Sequence, residues 1–190
     1  MPQDRIPGHD PAHDHRAEEH ETCAACGFDG AAFDGADLLD ALSGLGARWG
    51  PLLDGAGDLL RMRPEPDTWS AIEYAAHSRD ITELHRWAVD EALTGAEPVL
   101  PGVESDALLD AAATTYGTAD PVAVVRALSA AASAMADAAR TAGGSAWHLG
   151  ITVGTSRSSV RRLLEHALHD STHHLADVAR GLTTLRTAGA

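Results

Sequence analysis

Apolar positions recur at helical spacing in four stretches of the chain, and the last of these is the most informative. With Val160 as reference and about 100° of turn per residue, Leu164, Ala167, Leu175, Val178, Leu182 and Leu185 fall within roughly 60° of one line. This is the buried stripe of a helix capped by Ser158 or Ser159 and running to about Arg186. Inside it, the stretch from Leu163 to Val178, LLEHALHDSTHHLADV, crowds four histidines and three acids into a core-facing helix. Asp170 and His174 lie at the edge of the stripe, about 80° and 40° from its centre, whereas His166, His169 and His173 sit roughly 120 to 180° round, towards solvent.

Three further helices are expected upstream. Leu38, Leu39, Leu42, Leu45, Trp49, Leu52 and Leu53 predict a first helix from Asp34 to about Gly57, weakened or bent by Gly44, Gly46 and Pro51. The second has the clearest start signal: Ser70-x-x-Glu73 is a capping box, Trp69 and Tyr74 are placed for a hydrophobic staple, and the helix should reach Leu93. Tyr74, Ile81, Leu84, Ala88 and Ala92 share its apolar face, with His77 in the middle of that face and His85 nearer its edge. Asp120-Pro121 supplies an N-cap and a proline at the first position of a third, Ala-rich helix ending near Gly143, suited to close packing and assigned no chemistry. Between them, 94–117 reads as a loop with a short helix begun at Ser105, a candidate lid, and 144–158 as an irregular connection in which His148 is exposed.

Composition sharpens this to an all-α protein. Few aromatics are available, so the core must rest on Ala, Leu and Val, which favours closely packed helices, and four main helices make a four-helix bundle. The net charge is −14 and lysine is absent, so the surface field repels phosphate backbones and anionic lipid, arguing against nucleic-acid and membrane partners. No apolar run is read as approaching a membrane span, and the N-terminus lacks the basic start and apolar middle of a signal peptide, so a cytoplasmic location is expected. Residues 1–22 carry three prolines, many charges and almost nothing apolar. Residues 1–32 are therefore read as a flexible, His-rich tail bearing a C-x-x-C element, and 33–190 as the bundle.

The candidate chemistry is metal ligation. An inward Asp and His four residues apart have Cβ atoms about 5 to 6 Å apart, which suits two ligands of one cation. A buried carboxylate needs a partner, and an ordinary Asp–His hydrogen bond is the competing explanation. His77 is the third inward candidate, giving His77, Asp170 and His174. Asp80 or Asp177 would orient a ligating imidazole. Cys23 and Cys26 stand at zinc-knuckle spacing with His20 as a conceivable third ligand, a secondary half-site whose alternative is a reduced surface pair.

W-S-x-x-E-Y-x-x-H at Trp69 to His77, followed by Arg79-Asp80, and A-L-H-D-x-x-H-H-L-x-D-V from Ala167 to Val178 resemble the DinB-like superfamily. The likeness is to the group related to the N-terminal metal-binding domain of mycothiol-dependent maleylpyruvate isomerase, over roughly residues 33–190. The resemblance implies one divalent ion held by His77, Asp170 and His174, with Asp170 where the isomerases usually carry Glu. The pair His169 and His173 is the alternative, and would restore an all-histidine set; otherwise His173 belongs beside the ligands. Zinc is the first choice of ion, nickel or iron the others. The implied function is a thiol-dependent metalloenzyme, an S-transferase or isomerase, in which the ion activates a low-molecular-weight thiol, mycothiol by resemblance, towards an electrophile. No catalytic residue beyond the ligands is assigned, and homodimerisation stays open. The alternatives are a metal-hydroxide hydrolase on the same site and a non-enzymatic metal-binding stress or sensor protein.

Overall fold

The computed structural model describes residues 20–102 and 115–189. Helices α1 (Gly35–Ser43) and α2 (Leu45–Asp54) form the first arm, followed by α3 (Ala71–Leu93), α4 (Pro121–Ala142) and α5 (Val160–Ala188). The single first helix expected from the leucine spacing is broken at Gly44, which closes α1 and opens α2. Helix α3 packs on α4 and α5, and the α1–α2 arm packs on the same two helices, closing a four-helix bundle. Its centre is filled by Leu38, Leu42, Leu45 and Trp49 from the first arm, Ile72 and Val89 from α3, Leu128 and Met135 from α4, and Leu163, Leu164 and Leu168 from α5. The Trp49 indole N–H donates to Ser171 Oγ at 2.8 Å, so this buried ring satisfies its polar edge on α5.

The helix starts follow their local signals. Asp120 accepts from the backbone N–H of Val122 and Ala123, with Pro121 at the first position of α4. Ser159 caps α5 through the Arg162 N–H. Glu73 accepts from both the N–H and Oγ of Ser70, at 2.8 and 2.7 Å, and Trp69 meets Tyr74 edge-on with ring centres 5.5 Å apart. Arg63 reaches the same Glu73 carboxylate. Burial works against ionisation of Glu73, but Arg63 and Ser70 outweigh it and hold its pKa below the ordinary value.

Three expectations need correction. Helix α4 is, by length and composition, apolar enough to cross a membrane, contrary to the reading that no stretch approaches that length. Its residues Val124, Leu128, Ala132, Met135, Ala136 and Ala139 are buried in the bundle. The connection 144–158 is not irregular: β4 (Gly150–Val153) pairs antiparallel with β5 (Ser156–Ser159), and β3 (Val99–Leu100) adds a parallel strand to β4. Gly154, at φ +59°, opens the two-residue turn between β4 and β5, a backbone conformation that few other residues adopt. Finally, residues 20–32, grouped above with the tail, are part of the folded body. Here β1 (Thr22–Cys23) pairs with β2 (Phe28–Asp29), and Glu21, Cys23 and Phe28 are buried against α5. The remainder of the expected tail and the short helix begun at Ser105 lie outside the described residues.

Candidate metal centre

The capping box fixes the first turn of α3, and His77 follows on the face turned to α5; on α5, Asp170 and His174 lie one turn apart on the face turned to α3. One ligand atom from each of the three residues lies within 4.8 Å of the others. Asp170 Oδ1 is 3.4 Å from His174 Nε2 and 3.9 Å from His77 Nε2. Donors about 2.0 to 2.2 Å from one ion stand roughly 3 to 3.5 Å apart, so both Asp170 separations are within a few tenths of an ångström of coordination spacing. The Asp170 side chain keeps 17% of its surface accessible, while both imidazoles are buried.

The surroundings fix the imidazoles. Asp177 Oδ2 is 3.0 Å from His174 Nδ1, which leaves Nε2 of that ring turned to Asp170. Arg180 pairs with the other oxygen of Asp177. Trp69 lies edge-on to His77 with ring centres 5.2 Å apart, and Tyr74 is tilted against His174 at 5.0 Å. Burial disfavours charge on His174, but Asp170 and Asp177 prevail and push its pKa up to about 9. Burial likewise opposes ionisation of Asp170, yet His174 and His77 hold its carboxyl well below the usual range. Both directions favour an ionised Asp170 facing a protonated His174, and a divalent cation would take the place of that proton.

Of the two acids expected to stand behind a ligating imidazole, Asp177 contacts His174. Asp80 pairs with Arg79 at 2.6 Å and accepts from the Tyr116 hydroxyl. Tyr116 is buried with its ring centre 6.4 Å from that of His77, and burial, reinforced by Asp80, raises its pKa so that it stays a phenol. The sequence carries no signal for Tyr116, which stands at the end of the 94–117 stretch read as a connection.

The other histidines are placed differently from the helical wheel. His169 is buried, and His166 and His173 are half-buried, because residues 20–32 cover the face of α5 that a bundle alone would leave to solvent. His20 is not beside the cysteines; its Nδ1 is 2.7 Å from Glu165 Oε1. His85, on α3, meets His166 edge-on at 5.3 Å. His169 and His173 instead join Cys23 and Cys26, again with ligand atoms all within 4.8 Å. The signal for this lay in the C-x-x-C pair, which needs two more donors, and in the second i, i+4 histidine pair on α5.

No protein-family model matches the chain, and no curated protein sequence matches it. Among solved structures, YfiT from Bacillus subtilis superposes with a TM-score of 0.71 over 90% of this chain and 94% of its own, at 15% identity. The fold is that of YfiT. That protein is described as a probable metal-dependent hydrolase with an unusual four-helix bundle topology.

Proposed function

We propose that the chain is a divalent-metal-dependent enzyme of the DinB-like superfamily, with His77, Asp170 and His174 as the protein ligands. The observation that supports this best is the convergence of three donors from two distant helices on one partly accessible point. Two imidazoles and one carboxylate leave coordination positions open, as catalytic sites do and closed structural sites do not. An ion held there, zinc first among the candidates, would supply Lewis acidity and lower the pKa of an external nucleophile.

The chain's own groups carry the rest. Asp177 orients His174 through Nδ1, Trp69 and Tyr74 shield the buried sides of the imidazoles from water, and the Tyr116 phenol is held by Asp80 beside His77. The motif resemblance favours a low-molecular-weight thiol of the mycothiol type as nucleophile, acting on an electrophilic small molecule by S-transfer or isomerisation. The likeness to YfiT favours water as nucleophile and hydrolysis as the second reading. Purified protein, fully metal-loaded, should lose the interior ion in the His77→Ala and His174→Ala variants by elemental analysis. Unchanged occupancy in both variants would sink the ligand assignment. Turnover of electrophiles that requires added thiol selects the transferase; ester or amide turnover without thiol selects the hydrolase.

A further inference from the structure

The geometry points to a second, structural zinc site of the Cys2His2 type, made by Cys23, Cys26, His169 and His173, which ties the N-terminal hairpin to α5. The donors of this site are wholly separate from those of the interior centre, so it does not rest on the function proposed above. Cys23 Sγ is 3.7 Å from His173 Nδ1. With zinc–sulfur and zinc–nitrogen bonds of about 2.3 and 2.0 Å at a tetrahedral angle, these two atoms would stand about 3.5 Å apart. All four donors lie within 4.8 Å of one another, so closure on an ion asks for little movement. Two thiolates would balance the charge of a zinc ion, with both imidazoles neutral.

The backbone around the cysteines is shaped for sulfur ligation. Gly27, at φ +74°, turns the chain directly after Cys26, and its N–H donates to the Cys23 carbonyl at 2.8 Å. The Phe28 N–H bonds the Cys26 sulfur, while burial outweighs that contact and pushes the free thiol up. Cys23 is buried, so the pair is not a pair of surface thiols.

The histidines are positioned from behind by carboxylates. Glu21 Oε1 lies 2.9 Å from His169 Nδ1, which directs the other nitrogen of that ring to the cluster. Glu21 could itself be counted with His166 and His169 as a ligand set. Arg162 sits 2.7 Å from its second oxygen and already supplies the counter-charge, so Glu21 serves as the acceptor that orients His169. On the far side, His173 Nε2 is 3.7 Å from Asp177 Oδ2, the oxygen that also holds His174. Glu165 completes the attachment by accepting from the Glu21 N–H at 2.8 Å. A Cβ on Gly30 would stand 2.3 Å from the Glu165 carboxylate, so a larger residue there would displace the side chain that accepts from the Glu21 N–H. Four donors fill a tetrahedral zinc ion, leaving no position for substrate; the site's role is to brace α5 against the hairpin.

The test uses the full chain, reduced and demetallated, titrated with cobalt(II) and then zinc(II). The wild type should take up two equivalents, one of them giving the sulfur-to-cobalt charge-transfer band and intense tetrahedral d–d absorption. Cys23→Ser and Cys26→Ser should each lose the sulfur-bearing equivalent and keep the other. His77→Ala and His174→Ala should do the reverse, which separates failure of this site from failure of the interior one. His173→Ala should lose the band, and His173→Cys should restore four-coordinate binding with stronger charge transfer, guarding against variants that merely unfold. A wild type without the band, a band undiminished in both His169→Ala and His173→Ala, or a Cys23–Cys26 pair that binds no zinc after reduction would overturn the site.

Discussion

Helix α5 carries two i, i+4 pairs of candidate ligands one residue out of step, Asp170/His174 and His169/His173, and the two meet different surroundings. One residue is about 100° of turn, so the first pair faces α3 inside the bundle and the second faces the hairpin. Inside, three hard or borderline donors with a partly accessible carboxylate suit an ion that must keep open positions. Outside, two thiols bring the donor count to four and suit an ion that is fully enclosed. Donor number and donor softness, not the histidines themselves, separate a centre fit for chemistry from one fit for bracing. Asp177 touches one histidine of each pair, so the two are neighbours mechanically as well as in sequence.

The sharpest way to break the contrast is to remove an interior donor. Asp170→Ala deletes the one carboxylate of a three-donor set, and turnover should fall by at least about 100-fold, the upper end of what lesser outer-shell losses cost. Steady-state assays beside metal analysis check this, and the sulfur-bearing equivalent should persist. If both ions were lost together, the two clusters would be a single unit and the comparison would fail.

Next in size is the hairpin site, whose loss should appear in stability. At free zinc about a thousandfold above Kd, a native-state ligand adds about 4 kcal/mol, which for a chain of this length is roughly 10 °C in Tm. Zinc should therefore raise the Tm of the wild type by about that much more than the Tm of Cys23→Ser, in parallel melts at fixed zinc. Hydrogen exchange of residues 20–32 should accelerate in the variant while α3 stays protected.

How much of this was legible beforehand follows the range of each interaction. The start of α3 is readable because the Ser70–Glu73 box and the Trp69–Tyr74 contact lie within a few residues, and the cap of α4 at Asp120 for the same reason. Inward placement of His77, Asp170 and His174 follows from periodicity, since a helix buries one face. The wheel misplaced His169 and His173 because it treats every non-core face as solvent, whereas the hairpin that covers them is joined to α5 by contacts spanning some 145 residues, as between His20 and Glu165. The β4–β5 pair escaped notice because four-residue strands are too short for periodicity to register, although Gly154 marks the turn. The C-x-x-C pair is readable in the sequence as half a site, and the histidines that the fold brings to it, His169 and His173, are the i, i+4 pair ranked behind Asp170 and His174.

A finer probe is the residue shared between the clusters. Asp177→Asn removes the charge that orients His174 from 3.0 Å and stands 3.7 Å from His173. Interior metal affinity should fall by about 10- to 100-fold, with a smaller change at the hairpin site because of the longer separation. Competition titrations with a chromophoric chelator resolve the two. Equal losses at both would mean that Asp177 supports α5 generally and orients neither ring.

The smallest effect expected separates the frames that carry the two clusters. Glu73 clamps the start of α3, four residues before His77, and has no part in the hairpin site. Its pKa is held below the ordinary 4.5, so its contribution is fully present above that pH and is lost as pH falls through the depressed folded value. Glu73→Gln keeps a hydrogen-bonding side chain at the capping position but loses the ion pair with Arg63, costing about 1 kcal/mol, the worth of a helix cap. Melts of the metal-free protein should show a Tm lower by about 2 to 4 °C at neutral pH, the difference from wild type closing as the pH drops below 4.5. Hydrogen exchange should place the loosening in the first turn of α3, with residues 20–32 unaffected. If the hairpin loosened equally, the two ends of the α5 surface would be held by one cooperative unit, and the distinction between a reactive interior and a braced exterior would need to be drawn elsewhere.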